Sequence, residues 1–144
     1  MIVSQILKSK PDIAVVTLPP GSTVAELAEL LSARRIGAVV ISPNGKTVTG
    51  IVSERDIVRE LGRRGPACLA DAVETIMTAK VTTCGHHDQA DDVLARMTEG
   101  RFRHLPVVEG DEMVGLISIG DVVKARLSEL SMEKDALEGM IKGF

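Results

Sequence analysis

Two Ser-x-x-Asp tetrads stand in closely matching company: Ser53 to Asp56 in GIVSERD, and Ser118 to Asp121 in GLISIGD. In each, an apolar stretch ends at the serine and a helix-forming run follows. A serine at a strand-to-helix junction lies beside unpaired backbone N–H groups and the positive end of the helix dipole, which together attract an anion. An aspartate three residues later sits one turn in, where its carboxylate can accept from two vicinal hydroxyls, such as those of a ribose. The competing explanation is a capping box, in which the serine and the acid satisfy each other's backbone N–H groups. One tetrad alone favours the capping box. The same tetrad twice, at equivalent places, favours a shared ligand role.

The equivalence extends well beyond the tetrads. Gly50 and Gly115, Ser53 and Ser118, and Asp56 and Asp121 are each 65 positions apart. Upstream the offset is 66, and it matches Leu27 with Val93, Leu31 with Met97, Ile36 with Phe102, Val39 with Leu105 and Ile41 with Val107. The slip of one residue falls in the turn SPNGK, where a hairpin tolerates a change of length. The chain is a tandem duplication, and two copies are too few for a solenoid.

Each copy must supply the elements that hold its tetrad. After LPPGS, Ser22 or Thr23 can cap a helix carrying Val24, Leu27, Ala28, Leu30 and Leu31 at helical spacing. IGAVVI is short and apolar at successive positions, which suits a strand covered on both faces. SPNGK turns the chain into a second strand, TVTGIVS, which feeds the helix ERDIVRELGRR. The second copy predicts a helix from about Asp88 to Glu99, strands RHLPVV and MVGLIS around the turn EGDE, and a helix from Ile119 onward. Between the copies, ACLADAVETIMT reads as a short helix leading into a strand, KVTTC. The domain plan is one repeat over 1–66, a second over 67–128, and an extension of the last helix over 129–144.

Composition narrows the function classes. The 144 residues include no Trp, no Tyr and two Phe, so the core is aliphatic and aromatic stacking platforms for single-stranded nucleic acid are absent. A net charge of −3 argues against a nucleic-acid or anionic-membrane binder. No apolar run reaches the roughly 20 residues that a bilayer demands, and MIVSQILKSKPD lacks the flanks of a secretory signal. Cys68 and Cys84 have no CxxC spacing, so the expected setting is a reducing cytoplasm.

With these pieces placed, the chain resembles a tandem pair of cystathionine β-synthase (CBS) domains, often called a Bateman module, over nearly its whole length. GIVSERD, GLISIGD, RFRHLPVVEGDEMVG and ETIMTAKVTT carry the resemblance. It implies an α+β fold of α/β type: two βαββα repeats in pseudo-twofold arrangement forming one module. It further implies a non-catalytic sensor for an adenosine-containing ligand (AMP, ADP, ATP, S-adenosylmethionine or NAD(H)) and pairing into a homodimer, with an unidentified protein partner as a further possibility.

The resemblance also implies that the tetrad of one copy faces the strands of the other. The first cleft then joins Ser53, Arg55 and Asp56 to Thr82, Thr83, Arg103, His104 and Pro106. The second joins Ser118 and Asp121 to Val16, Thr17, Gly37 and Ala38. Two arginines and a histidine suit the first to a phosphate. The second has Ile119 and Gly120 where the first has Glu54 and Arg55, and reads as poor in cations.

Other motifs invite sharper readings that the pattern does not reward. CGHHD, Cys84 to Asp88, has zinc-ligand types, yet it aligns with the plain loop LPPGS, and no second ligand pair accompanies it. His104 has no nucleophile in a shared motif, so no catalytic residue is expected. From Ile119 to about Lys142, apolar residues including Val122, Leu127, Leu130, Leu137 and Ile141 recur among charges, predicting a long amphipathic helix suited to self-association.

Overall fold

The computed structural model describes residues 1–11 and 14–142. Its elements run α1 (Val3–Ser9), β1 (Thr17–Leu18), α2 (Val24–Arg34), β2 (Ala38–Ile41), β3 (Gly50–Ser53), α3 (Glu54–Arg64), α4 (Ala90–Gly100), β4 (His104–Glu109), β5 (Glu112–Ser118) and α5 (Ile119–Ile141). Two short 3₁₀ turns, Gly65–Ala70 and Val73–Thr75, lie between α3 and α4. The architecture is the expected α+β tandem module, and Gly143 and Phe144 of the expected extension lie outside the described residues.

Local chemistry explains the boundaries. Thr23 caps α2 by accepting the Glu26 N–H at 3.1 Å, whereas the Ser22 hydroxyl donates to Pro19 C=O. α2 and α4 both end on arginines in the left-handed region, Arg35 at φ 53° and Arg101 at φ 57°, so the duplication repeats even the strained C-cap. β2 is buried at every position, as a strand covered on both faces should be. It pairs in parallel with β1 and antiparallel with β3, while β4 and β5 form an antiparallel ribbon.

Several expectations need correction. TVTGIVS is strand only from Gly50, because Asn44 Oδ1 takes the N–H groups of Lys46 and Thr47 into a turn. KVTTC is no strand: only Cys84 bridges, in parallel, to Val107. Pro106 explains this, since it has no N–H with which to extend the ladder past Cys84. The helix expected from about Asp88 starts at Ala90, the Asp88 carboxylate being turned back onto Gly85 N–H at 2.8 Å and Arg96 at 3.0 Å. ACLADAVETIMT breaks into the two 3₁₀ turns because Asp71 C=O and Ala72 are drawn out to pair with Val24 and Thr23.

Two aliphatic cores result, and each is completed by a segment from beyond its own repeat. Val73 and Ile76 pack with Val24, Leu27, Val39 and Val52 in the first core. Val3, Ile6 and Leu7 of α1 pack with Val93, Met97, Leu105 and Ile117 in the second. Matched hydrogen bonds fix both segments: Val73 N–H donates to Ser22 C=O at 2.8 Å, and Val3 N–H to Asp88 C=O at 2.9 Å. In the same way Val24 N–H donates to Asp71 C=O, and Ala90 N–H to Met1 C=O. Val3 and Val73 are therefore counterparts at an offset of 70, so Leu7 corresponds to Met77. A β-carbon at Gly115 would meet Leu7, and one at Gly50 would meet Met77, which confirms the pairing.

Candidate functional site

β3 delivers Ser53 to the N-terminus of α3 because an extended, half-buried strand runs directly into the helix. Asp56 Oδ2 accepts the Ser53 N–H at 2.8 Å and the Ser53 hydroxyl at 3.2 Å. β5 delivers Ser118 to α5 in the same way, with Ser118 N–H donating to Asp121 Oδ2 at 2.9 Å and Asp121 N–H to Ser118 Oγ at 3.1 Å. Both tetrads thus make the capping interactions weighed above. The first helical N–H of each is also spent: Glu54 N–H donates to Gly37 C=O at 2.9 Å, and Ile119 N–H to Arg103 C=O at 2.8 Å. These two bonds stitch each helix to the strand entry of its own repeat and draw both tetrads toward the middle of the molecule.

Two clefts open there. The first, of about 570 Å³, is lined by Ser53, Arg55, Asp56, Thr82, Arg103 and His104, all anticipated from the sequence. Thr83 and Pro106 do not line it: the Thr83 C=O accepts from Arg96, and Pro106 is buried opposite Leu116. Arg59, Lys80 and Arg101 line the same cleft and were missed. Their signal was present: Arg59 lies one turn beyond Asp56, Arg101 is two residues before Arg103, and Lys80 is two before Thr82. Five Lys and Arg side chains thus surround the cleft against Glu54 and Asp56, in a chain whose net charge is −3.

The second cleft, of about 380 Å³, is lined by Val16, Gly37, Ala38, Ser118 and Asp121 as expected, while Thr17 is held in β1 opposite Val40 and does not line it. Its expected poverty in cations is corrected, because Lys10 and Arg34 line it. Lys10 Nζ lies 2.9 Å from Asp121 Oδ2 and donates to Leu116 C=O at 3.0 Å. Burial opposes ionisation of Asp121, but the Ser118 N–H and the Lys10 ammonium outweigh it and hold the carboxyl below the usual range.

Gly37, Ala38 and His104 line both clefts and form the wall between them. Burial pushes the His104 imidazole below its ordinary pKa, with Lys10 and Arg103 acting in the same sense and Asp121 and Glu54 opposing. Away from the clefts, burial and the nearby Asp88 push the Cys84 thiol up to about 12, so it is not a thiolate at neutral pH. Among the described residues no group of three or more His, Cys, Asp and Glu side chains is placed to hold a metal, and no helix is long and apolar enough to cross a membrane.

Known proteins share this arrangement. The CBS domain family model matches residues 3–63 and 73–128. The crystal structure of the CBS-domain containing protein ATU1752 from Agrobacterium tumefaciens superposes with a TM-score of 0.83 at 43% identity, covering 88% of this chain and 99% of that one. The CBS domain protein PAE2072 from Pyrobaculum aerophilum, complexed with AMP, superposes with a TM-score of 0.76 at 30% identity, covering 92% and 99%. The mitochondrial CBS domain-containing protein CBSX3 of Arabidopsis thaliana is 30% identical over 148 residues, 98% of this chain and 72% of that protein. Other curated relatives from the same plant are much longer, and this chain spans 22% to 25% of their length. The chain belongs to the CBS domain family and carries two copies of that domain in tandem.

Proposed function

We propose that this chain is a ligand-binding regulatory module that takes an adenosine nucleotide, AMP first among them, in the first cleft. The observation that carries the reading is the ring of Arg55, Arg59, Lys80, Arg101 and Arg103 around a tetrad at a helix N-terminus. Such a setting stabilises phosphate by charge-assisted hydrogen bonds, and its volume is that of a small-molecule site. The AMP complex of the Pyrobaculum relative supports the ligand class.

In this reading Asp56 holds the ribose hydroxyls, and Arg59, which pairs with it at 2.9 Å but is 55% exposed, swings to the phosphate. Ser53 and Arg55 meet the phosphate from the helix side, and backbone groups near Thr82 and from Arg103 to Leu105 read the adenine edge. Because the cleft walls come from both repeats, a ligand there favours one relative orientation of the two. A partner protein that distinguishes the orientations reads the signal. Binding, without turnover, is the function.

The test is calorimetric titration of nucleotide-stripped protein with AMP, ATP, S-adenosylmethionine and NADH. Saturable binding of an adenosine ligand at one or two per chain is the expected result; silence across the panel overturns the reading.

A second reading rests on the outer half of α5, where Leu127 is 62% exposed, Leu137 60% and Ile141 85%. Such a face favours self-association into a homodimer. Sedimentation of the Leu127→Ser, Leu137→Ser double variant tests it: a shift of the wild-type dimer to monomer supports this contact, and an unshifted mass rejects it.

A further inference from the structure

Each cleft has a lysine near its entering segment, Lys80 in the first and Lys10 in the second, and the two stand differently. They are not counterparts: the runs Lys80–Thr82 and Ala14–Val16 line the two clefts at an offset of 66, and Lys10 precedes that run in a stretch where the first repeat has four extra residues. Lys80 is exposed, lines the first cleft and makes no ion pair with Asp56, whose partner is Arg59 on the same helix. Lys10 is only 25% exposed and bridges two groups of the second cleft, the Asp121 carboxylate and the Leu116 carbonyl.

The backbone explains the difference. In the first repeat, Ile51 exchanges hydrogen bonds with Thr78, so the Ile51 C=O is satisfied by the Thr78 N–H at 2.9 Å. Leu116 is the counterpart of Ile51, and Lys8 is the counterpart of Thr78. Lys8 lies within α1, however, and its N–H is not extended toward β5. The ammonium of Lys10 takes the place of that missing donor. Its position at Leu116 brings it within reach of Asp121, and the two contacts hold each other.

We propose that Lys10 is a latch on the second cleft: it occupies the carboxylate that would grip a ribose, and so restricts the protein to one nucleotide per chain. The inference rests on the reading of the clefts as nucleoside sites. A ligand entering the second cleft must displace a half-buried ammonium, strip the Leu116 carbonyl of its donor and break the pair with Asp121. In the first cleft it need only turn aside Arg59, which is 55% exposed and makes one i,i+3 contact with Asp56, and no backbone carbonyl loses a donor. Removing the latch frees hydrogen bonds to charged groups, which corresponds to about tenfold to a hundredfold tighter binding in the second cleft.

The experiment is AMP titration of four proteins: wild type, Lys10→Met, Asp56→Asn, and the double variant. Counting only sites of at least wild-type affinity, the expected numbers are one, two, none and one per chain, and adding Asp121→Asn to the double variant removes its remaining site. A double variant as silent as Asp56→Asn overturns the latch, as does a wild type that already binds two molecules with Lys10→Met unchanged. Binding by Asp56→Asn equal to wild type overturns instead the assignment of the first cleft, and binding by Lys10→Met alone upholds the latch while that assignment fails. Lys10→Gln, which retains a donor for Leu116, replaces Lys10→Met if thermal unfolding shows that the methionine variant is not folded.

Discussion

Gly37 and His104 meet across the wall between the two clefts, so closely that a β-carbon added at Gly37 would lie 3.3 Å from Cε1 of the imidazole and 3.7 Å from Oε1 of Glu54. A methyl group there asks the ring to yield by a few tenths of an ångström. Gly37→Ala is expected to cost about 1 to 2 kcal/mol of stability through overpacking, read as a lower urea midpoint. Gly139→Ala in α5, where a β-carbon meets open space, is expected to raise stability by up to about 1 kcal/mol.

Asp56 carries two duties that separate experimentally. As the acid of a capping box it bonds the Ser53 N–H, so Asp56→Ala is expected to cost about 1 kcal/mol in thermal unfolding. As the proposed ribose ligand it adds hydrogen bonds from a charged group, so AMP affinity is expected to fall about tenfold to a hundredfold by calorimetry. A variant that loses stability and keeps its affinity confines Asp56 to the cap.

The cations of the first cleft give the binding a salt signature. Arg55, Arg101 and Arg103 are exposed, so their pull on a phosphate is screened as ionic strength rises. AMP affinity is expected to drop several-fold between roughly 0.05 and 0.5 M salt, with adenosine far less affected. Equal salt dependence of the two ligands would remove phosphate from the first cleft.

His104 sets a pH dependence whose sign follows from burial. Its folded pKa lies below the ordinary imidazole value, so the unfolded chain binds the proton more readily. The stabilising contribution is complete above the ordinary value of about 6.5 and is lost as pH falls toward the folded value. Lys10 and Arg103 face the ring and deepen the loss, while Asp121 and Glu54 moderate it. Urea midpoints for wild type are expected to decline between about pH 7 and pH 5, and His104→Gln is expected to flatten that decline.

Much of this organisation was legible in the sequence because the duplication wrote it twice. Glu54–Arg64 appeared with its observed ends, since a strand with a serine precedes it and a Gly-Pro break follows. Ser53, Asp56, Arg103 and His104 could be assigned to one cleft because the resemblance supplied the crossing of the repeats. Lys10 could not be placed. It stands where the first repeat has four residues more than the second, and its bond to Leu116 arises only once α1 docks on the other repeat. KVTTC looked like a strand by its β-branched residues, but the obstacle was a missing donor on Pro106, more than twenty positions away in the chain.

The exchange of flanking segments between the two cores has a consequence for how the protein comes apart. Neither repeat owns all of its hydrophobic interior: α1 belongs by packing to the second core, and Val73 to Ile76 to the first. A protease nick or a ribosome pausing midway therefore yields a half with an open greasy seam, prone to recruit the missing piece from a neighbour. The molecule is an interlocked pair in which each core needs a segment that the other repeat's stretch of chain supplies.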